Sequence, residues 1–185
     1  MVINLFKYPN NINKNNDKYK SYGNRGMTLE YEINLSNEYY LEKGIAVIHK
    51  KPTPIQIVEQ VNGKIVKAYF KEASTTDYNG VCNGKYIDFD AKETTSKTSF
   101  PISNIHSHQI KHLENVIKQD GIAFLIIRFT KLNLTYILYA QDLISFIKEN
   151  NRKSIPKSYF DEKGILIKEK LAPRLDYIDA LNIGG

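Results

Sequence analysis

The feature that most constrains the fold is a short, unbroken apolar run near the middle of the chain, residues 122–128 (IAFLIIR). The side chains of a strand point alternately to opposite faces, so a strand that is apolar throughout is buried on both faces. The run is also much shorter than the ~18 apolar residues that indicate a membrane span. We therefore predict that it forms the central strand of a sheet covered on both sides.

The elements around this strand follow from hydrophobic periodicity and turn residues. The predicted helices are 27–43, 103–118 (with Ser103 as N-cap) and 143–148, and the predicted strands are 45–48, 55–61, 64–70, the alternating part of 81–93, and 134–139. Residues 71–80 and 94–103 are predicted as loops. This order of elements predicts an α/β fold, a central mixed sheet flanked by helices.

A protruding β-hairpin is predicted at about residues 55–71, because Asn62-Gly63 separates two extended segments. Its basic and aromatic side chains suit contacts with DNA phosphates and unstacked bases. The candidate DNA-binding residues are Lys64, Lys67, Phe70 and Lys71. The alternative is an exposed hairpin whose lysines only prevent edge-to-edge pairing with other strands.

Composition excludes several classes of protein. A length of 185 residues fits one domain, and we predict a disordered tail over residues 1–24 and a domain over 25–185. The single cysteine, Cys82, excludes an intramolecular disulfide and a zinc site built from several cysteines, as expected in a reducing cytoplasm. The net charge of +6 is compatible with a nucleic-acid partner without requiring one. No membrane partner is expected.

The residues best suited to catalysis lie in the segment 87–92 (IDFDAK). Alternate side chains of a strand share a face, so Asp88, Asp90 and Lys92 point one way and the apolar residues between them point the other. A further acid, Asp77, lies thirteen positions before Asp90. Two carboxylates and a lysine suit metal-assisted hydrolysis of a phosphodiester. Taken alone, however, such a pattern is more often the solvent-facing side of a half-buried strand.

Several longer motifs resemble those of the RecU family of Holliday junction resolvases. They are residues 24–30 (NRGMTLE), 49–54 (HKKPTP), 73–80 (ASTTDYNG), 86–94 (YIDFDAKET), 97–101 (KTSFP) and 172–177 (APRLDY). The resemblance extends from about residue 24 to about residue 178. It implies a PD-(D/E)XK nuclease fold with a hairpin stalk, a homodimer, and Mg²⁺-dependent resolution of four-way DNA junctions by paired nicks.

The resemblance also implies roles for individual residues. Asp77 and Asp90 match the two acids of the nuclease motif and Lys92 its lysine, while Thr75 and Gln109 match positions that the family assigns to the metal site. The expected cofactor is Mg²⁺, with Mn²⁺ as a substitute, and the expected products carry 5′-phosphates. Expected partners are branched DNA, a second copy of the chain, and recombinase and branch-migration proteins at the nucleoid.

This chain departs from the family's pattern in two places. Members of the family carry Glu where this chain has Asp90, and Asp is shorter by one methylene, which changes the reach of the carboxylate. The loop between Val61 and Lys64 is also shorter than in the family, which bears on the length of the stalk.

Two further polar residues each allow two interpretations. Gln109 lies within the apolar stripe of the predicted helix 103–118, so its amide is either a core amide bonded to backbone or faces the metal; the resemblance favours the second. Glu30, on the first predicted helix, is either a solvated acid or an additional active-site carboxylate.

The histidines of the predicted helix 103–118 allow a zinc site as an alternative. His108 and His112 are i, i+4 neighbours, a spacing that can bind zinc, and His106 is a third candidate ligand. No fourth ligand is evident in the sequence. We expect these side chains to face mostly outward, toward solvent or DNA phosphate.

Two rival functions remain open at the level of sequence. One is another nuclease of the same fold, which would cut linear duplex DNA as readily as junctions. The other is a basic DNA-binding protein that modulates recombination without strong nuclease activity. The presence of Asp77, Asp90 and Lys92 argues against a decayed site.

Overall fold

The computed structural model describes residues 28–52, 54–70 and 75–184, so the tail 1–24 and Lys71 lie outside the described residues. Its elements are α1 (Leu29–Glu42), β1 (Val47–Lys50), β2 (Ile55–Val61), β3 (Lys64–Phe70), β4 (Tyr78–Cys82), β5 (Lys85–Thr94), β6 (Ser99–Pro101), α2 (Ser107–Lys118), β7 (Ile122–Phe129), β8 (Leu134–Tyr139), α3 (Ala140–Glu149), β9 (Ser154–Pro156), α4 (Lys157–Lys163), β10 (Ile165–Leu166) and α5 (Tyr177–Ala180). The main sheet has the order β1-β4-β5-β7-β8-β10. The predicted mixed sheet flanked by helices is confirmed.

The apolar run forms the central strand β7, as predicted. It pairs in parallel with β5 and antiparallel with β8, and its side chains from Ala123 to Phe129 are buried. Phe124 and Ile126 lie in the core on the α1 side, whereas Leu125 and Ile127 lie in the core under α2 and α3. The sheet is therefore covered on both faces.

Helix α1 closes one of these two cores. Thr28 caps its start by accepting the N–H of Tyr31 at 3.4 Å, and Leu29, Ile33 and Tyr40 are buried, as the periodicity predicts. None of the helices in the described part of the chain is both long and apolar enough to cross a membrane.

The strands that flank the hairpin start elsewhere than predicted. β1 begins two residues later than expected, and β4 begins at Tyr78, inside the segment 71–80 that was predicted as loop. Both differences arise because the two strands pair, with Ile48 opposite Gly80. The backbones approach so closely that a Cβ on Gly80 would lie 2.1 Å from the carbonyl oxygen of Val47, so this strand position requires glycine.

Helix α2 begins at Ser107, four residues after the predicted N-cap Ser103. Residues 102–104 form a separate 3₁₀ turn, and the N-cap is His106. The side chain of Gln109 explains the later start, because its Oε1 accepts the N–H of His106 at 3.0 Å and closes a capping box. The segment predicted as a loop before this turn also contains β6, which pairs with β9.

Strands β2 and β3 form the predicted hairpin, outside the main sheet. Asn62 and Gly63 have φ angles of 49° and 77°, as a two-residue turn of this hand requires. All residues of β2 are exposed, including Ile57 and Val58. The side chains of β2 therefore contribute to neither core, and the hairpin protrudes.

The C-terminal segment packs back on α1, which the sequence analysis did not anticipate. The buried Tyr177 hydroxyl donates to Asn37, and the Tyr40 hydroxyl donates to the carbonyl oxygen of Leu175 at 3.0 Å. Tyr177 also packs against Phe89, so the segment contacts both α1 and β5, the strand that carries Asp90 and Lys92.

Candidate active site

The side chains of β5 alternate as predicted. Asp88 and Asp90 are fully buried and face α2, while Ile87 and Phe89 lie in the core on the α1 side. Asp90 stands opposite Leu125 of the central strand. Burying a charge is costly unless partners compensate it, so the contacts of the two acids indicate their roles.

Asp90 lies between Lys92 and Gln109. The Lys92 Nζ is 2.5 Å from Asp90 Oδ2, and the Gln109 Nε2 donates to Oδ1 at 3.0 Å. Apart from this ion pair, Oδ2 has no hydrogen-bond partner among the described residues. A buried carboxylate oxygen in this state keeps a lone pair available for a cation.

Asp77 brings a second carboxylate to Asp90. It immediately precedes β4, whose pairing with β5 starts with Tyr78 opposite Phe89. Ala91 lies beyond the partner of Tyr78, the first residue of β4. The Ala91 N–H donates to Asp77 Oδ2 at 3.1 Å. The Asp77 side chain thus replaces a further strand residue and is fixed against β5.

The charge state of Asp90 reflects this environment. Burial raises the pKa of Asp90 to about 7; the Lys92 ammonium opposes the shift, and the negative charge of Asp77 adds to it. A divalent cation at the two carboxylates would lower the pKa again, because it favours their charged forms. The ammonium of Lys92 therefore does not fully compensate the negative charges of Asp77 and Asp90.

The amide of Gln109 combines both interpretations that the sequence left open. Its Oε1 accepts the backbone N–H of His106, as a core amide does, while its Nε2 donates to Asp90. A backbone N–H can be accepted only by the amide oxygen, so this contact fixes the orientation of the amide. In this arrangement Gln109 orients Asp90, and it would offer an oxygen to a metal only after leaving His106.

Glu30 and Thr75 lie at the border of the cluster. Glu30 and Lys92 both line a cavity of about 400 Å³ at the start of α1. The half-exposed Glu30 carboxylate pairs with Lys50 Nζ at 2.5 Å, and Thr75 Oγ1 accepts from Lys51 Nζ at 3.3 Å. Both candidates are thus engaged by lysines at the edge of the site.

Asp88 is buried on the same face of β5 as Asp90, and the sequence pattern alone does not distinguish the roles of these two acids. Four side chains contact its carboxylate: Lys51 at 2.8 Å, Tyr86 at 2.7 Å and His112 at 3.0 Å on Oδ2, and Thr76 on Oδ1. Burial by itself would raise the pKa of Asp88, but these hydrogen bonds outweigh it and lower the pKa below the usual value of Asp. Side-chain contacts therefore replace the water that a charged carboxylate would bind at the surface.

The expectation that the α2 histidines face mostly outward is wrong for His112. Its side chain is only 27% exposed, and its Nε2 contacts the Asp88 carboxylate. The spacing of these residues could have predicted the contact. Gln109 and His112 are one helical turn apart on α2, and they contact Asp90 and Asp88, respectively, which share a face of β5. No group of three or more His, Cys, Asp or Glu side chains suited to a metal occurs in the described parts of the chain, and His112, one of the zinc candidates, contacts Asp88.

The candidate DNA-binding residues can be placed only in part. Lys64 and Lys67 are exposed on β3, with Lys67 opposite Glu59. Phe70 ends β3, and Lys71 lies outside the described residues. The two placed lysines are on the protruding hairpin, outside the sheet that carries the acids.

The residues around Asp90 fit a hard divalent cation. Asp77 and Asp90 supply carboxylate oxygens, which Mg²⁺ and Mn²⁺ prefer over the nitrogen and sulfur ligands typical of zinc. The observation that supports the fit is Asp90 Oδ2, buried and without a hydrogen-bond donor among the residues that the structure describes. A cation would compensate both carboxylates.

Comparisons with known proteins identify close relatives. A family model described as recombination protein U matches residues 24–183. A protein named Holliday junction resolvase RecU from Geobacillus sp. (strain WCH70) is 52% identical over 193 aligned residues, covering 96% of each chain. A protein of the same name from Pediococcus pentosaceus is 55% identical over 169 residues, covering 87% of this chain and 84% of that one. Among solved structures, the Holliday junction resolvase Hjc of Archaeoglobus fulgidus matches with a TM-score of 0.42 and 10% identity, over 70% of this chain and 92% of that one.

Proposed function

Because the chain belongs to the family of recombination protein U, we propose that it is a metal-dependent endonuclease that resolves four-way DNA junctions. The two relatives described above are named as Holliday junction resolvases, which supports nuclease activity on branched DNA. The observation that carries the proposal is the pair of carboxylates, Asp77 and Asp90, beside Lys92 on the central sheet.

Asp77 and Asp90 would hold Mg²⁺, with Mn²⁺ as a substitute, and Thr75 and Gln109 would border the ion. When bound, the metal supplies Lewis acidity to the scissile phosphate and to the attacking water. The contribution of the chain is to place the two carboxylates. The Ala91 N–H holds Asp77, and the Gln109 amide holds Asp90.

Lys92 would act on the phosphoryl group. Its side chain is 21% exposed and lies beside Asp90, where the scissile phosphate would approach the metal ligands. Negative charge increases on the phosphoryl oxygens as the transition state forms, and a fixed ammonium stabilises it there. An interaction that strengthens in the transition state accelerates the chemical step more than it improves binding.

Branched DNA is the substrate that best fits the remaining features. The net charge is +6, and Lys64 and Lys67 lie exposed on a protruding hairpin. Phosphate contacts of this kind supply affinity without reading sequence. Action at the nucleoid, together with recombinase and branch-migration proteins, is part of this proposal.

The proposed working unit is a homodimer. A four-way junction is resolved by matched cuts in two opposing strands, and this chain carries a single set of Asp77, Asp90 and Lys92. A two-fold dimer places the same site at both strands. Two active sites in one complex would give two nicks within one binding event.

The experiment that tests the function compares a four-way junction with a linear duplex of the same sequence, with and without Mg²⁺. We expect paired nicks in the junction, with 5′-phosphate ends, only when Mg²⁺ is present, and little cutting of the duplex. Equal cutting of both substrates would identify a different nuclease of this fold. Junction binding without cleavage in Mg²⁺ or Mn²⁺ would identify a DNA-binding modulator of recombination.

A second experiment tests the dimer. Wild-type and Asp77→Asn subunits are mixed and incubated with a supercoil-extruded cruciform. Mixed dimers should accumulate singly nicked circles, while wild-type dimers produce linear DNA in one binding event. Linear product from a protein that light scattering shows to be monomeric on the junction would disprove the dimeric model.

A further inference from the structure

The two chain segments that flank the hairpin meet at the buried carboxylate of Asp88. The chain leaves the sheet after β1 at Lys51 and forms the hairpin, and the described residues resume beyond it at Thr75, just before β4. The Lys51 Nζ lies 2.8 Å from Asp88 Oδ2, 2.5 Å from Thr76 Oγ1 and 3.3 Å from Thr75 Oγ1. One ammonium therefore connects the outgoing segment, the returning segment and β5.

The backbone of Lys51 contacts the same returning segment. Its N–H donates to the carbonyl oxygen of Asp77 at 2.8 Å. Lys51 thus holds residues 75–77 through both its main chain and its side chain. The Asp77 carboxylate is the next group along this segment, and it reaches across to the N–H of Ala91.

The ammonium of Lys51 is fully used by these contacts. It has three N–H donors and three acceptors, and its side chain is only 16% exposed. An ammonium in this state is not free to bind a DNA phosphate. Its role must be exerted through the groups that it holds.

The same reasoning excludes Asp88 as a metal ligand in this arrangement. Three groups contact its Oδ2, and the Thr76 hydroxyl donates to Oδ1. Tyr86, on the same strand, and His112, from α2, hold the carboxylate in place, so that it presents a fixed negative charge to Lys51.

We infer that Lys51, anchored on Asp88, is a positioning residue that holds residues 75–77 so that the Asp77 carboxylate stands beside Asp90. The effect on metal binding rests on the proposed function, whereas the effect on the position of Asp77 does not. Lys51 and Asp88 act as one unit, because the Asp88 carboxylate fixes the Lys51 ammonium and the ammonium in turn compensates the buried carboxylate. The Lys51–Asp88 ion pair consequently links the base of the hairpin to the proposed metal site.

The test replaces Lys51 with Met, which keeps the length of the side chain and removes its charge. The first measurement is amide hydrogen exchange of Ala91 without metal or DNA, because this N–H is protected by the Asp77 side chain. We expect exchange at Ala91 to accelerate by at least about tenfold, while the buried amides of β7 stay protected. Lys163→Met, an exposed lysine on α4, is the matched control and should change neither.

The second measurement is Mn²⁺ binding by calorimetry without DNA, and the Mg²⁺ requirement of single-turnover junction cleavage. Changes in groups that orient metal ligands typically cost roughly 10- to 100-fold in metal affinity. We expect a loss in this range for Lys51→Met, cleavage restored by excess Mg²⁺, and unchanged junction affinity without metal. A merely structural role would not separate metal affinity from DNA affinity.

The double variant Lys51→Met/Asp88→Asn guards against misfolding, because it removes the buried charge together with its partner. It should lose no more metal affinity than the worse single variant, since the two residues act through each other. Unchanged exchange at Ala91 in the folded single and double variants would overturn the inference. Absence of Mn²⁺ binding by the wild-type protein would instead overturn the proposed metal site, and the exchange at Ala91 would still test Lys51.

Discussion

Asp88 and Asp90 lie two positions apart on the same face of β5, and both are fully buried, yet their surroundings act in opposite directions. Four side chains contact the Asp88 carboxylate and hold its pKa below the usual value. Burial raises the pKa of Asp90 to about 7, and one of its oxygens has no hydrogen-bond donor among the described residues.

This difference shows that burial alone does not decide what a buried acid does. A carboxylate that the protein has supplied with donors is stable as a charged structural group. A carboxylate left short of donors beside another acid costs stability in its charged form, and either a proton or a bound cation removes that cost. Two neighbouring acids of one motif can thus serve as anchor and as ligand.

The largest expected effect is a difference in cleavage activity between variants of Asp90 and Asp88. Asp90→Asn should reduce cleavage at saturating Mg²⁺ by at least about 10³-fold, because it removes one of the two carboxylates proposed to hold the metal. Asp88→Asn should retain cleavage within roughly tenfold when Mg²⁺ is in excess, because it acts only through positioning. The measurement is the single-turnover rate on a four-way junction.

Junction binding without metal is the control for both variants, and we expect it to be preserved, because phosphate contacts elsewhere supply the affinity. Near wild-type cleavage by Asp90→Asn would remove this acid from the site. An equal loss in both variants at saturating Mg²⁺ would abolish the distinction between the two acids.

Lys92 provides the next test, because it pairs with Asp90 and not with Asp88. Lys92→Ala should slow the single-turnover rate by about 10²-fold and weaken junction binding much less, since its charge matters most in the transition state. Lys163→Ala is the control for loss of an exposed positive charge. A normal rate combined with weaker binding would make Lys92 a DNA contact.

Stability should change in opposite directions for the two acids. Because the pKa of Asp90 is raised to about 7, the folded protein retains a proton that the unfolded chain releases, and the free energy of unfolding falls as pH rises from about 4 to about 7. Without metal, Asp90→Asn should therefore stabilise the protein at about pH 8 by roughly 1–3 kcal/mol, and much less at about pH 5.

Asp88 has a lowered pKa, so its contribution to stability is present above the pKa of an unfolded Asp and is lost as pH falls through the folded pKa. Asp88→Asn should destabilise the protein at about pH 8 by roughly 3 kcal/mol, because it leaves Lys51 without its charged partner. Denaturant unfolding without metal measures both effects. The same sign in both variants would refute the comparison.

The smallest expected effect concerns the lysines of the hairpin and the salt dependence of junction binding. Replacing Lys64, Lys67 and Lys71 with Ala should reduce the slope of log junction affinity against log salt by roughly 2–3, about 0.9 for each phosphate that is no longer neutralised. Cleavage of bound junction at saturating protein should remain unchanged. An unaltered slope would show that these lysines contact no phosphate, and a slower bound-state reaction would show that the hairpin acts on the carboxylates.

Local patterns predicted the parts of the molecule that depend on neighbours in sequence. The alternation of residues 87–92 placed Asp88 and Asp90 on one face, and Asn62-Gly63 placed the hairpin turn. The apolar stripe of α2 predicted that Gln109 is buried. Each of these depends on spacing within a single element.

The features that the sequence analysis missed depend on contacts between distant elements. The start of β4 is polar and glycine-containing, and it becomes a strand only because β1 and β5 pair with it. Lys51 and His112 reach Asp88 from the end of β1 and from α2, and no local periodicity encodes that meeting. The contacts of the C-terminal segment with α1 are of the same kind.

The parallel pairing of β5 with β7 also determines when the site forms as the chain folds. β4 and β5 are joined by the tight turn Asn83-Gly84, and such hairpins form in about 1–10 μs. Pairing of β5 with β7 requires residues 95–121, which include α2, to close a longer loop, a slower and entropically more costly event. Until then both acids stand in water without Gln109 or His112. We therefore expect nuclease activity to appear during refolding only after β5 has paired with β7 and α2 has packed on the sheet.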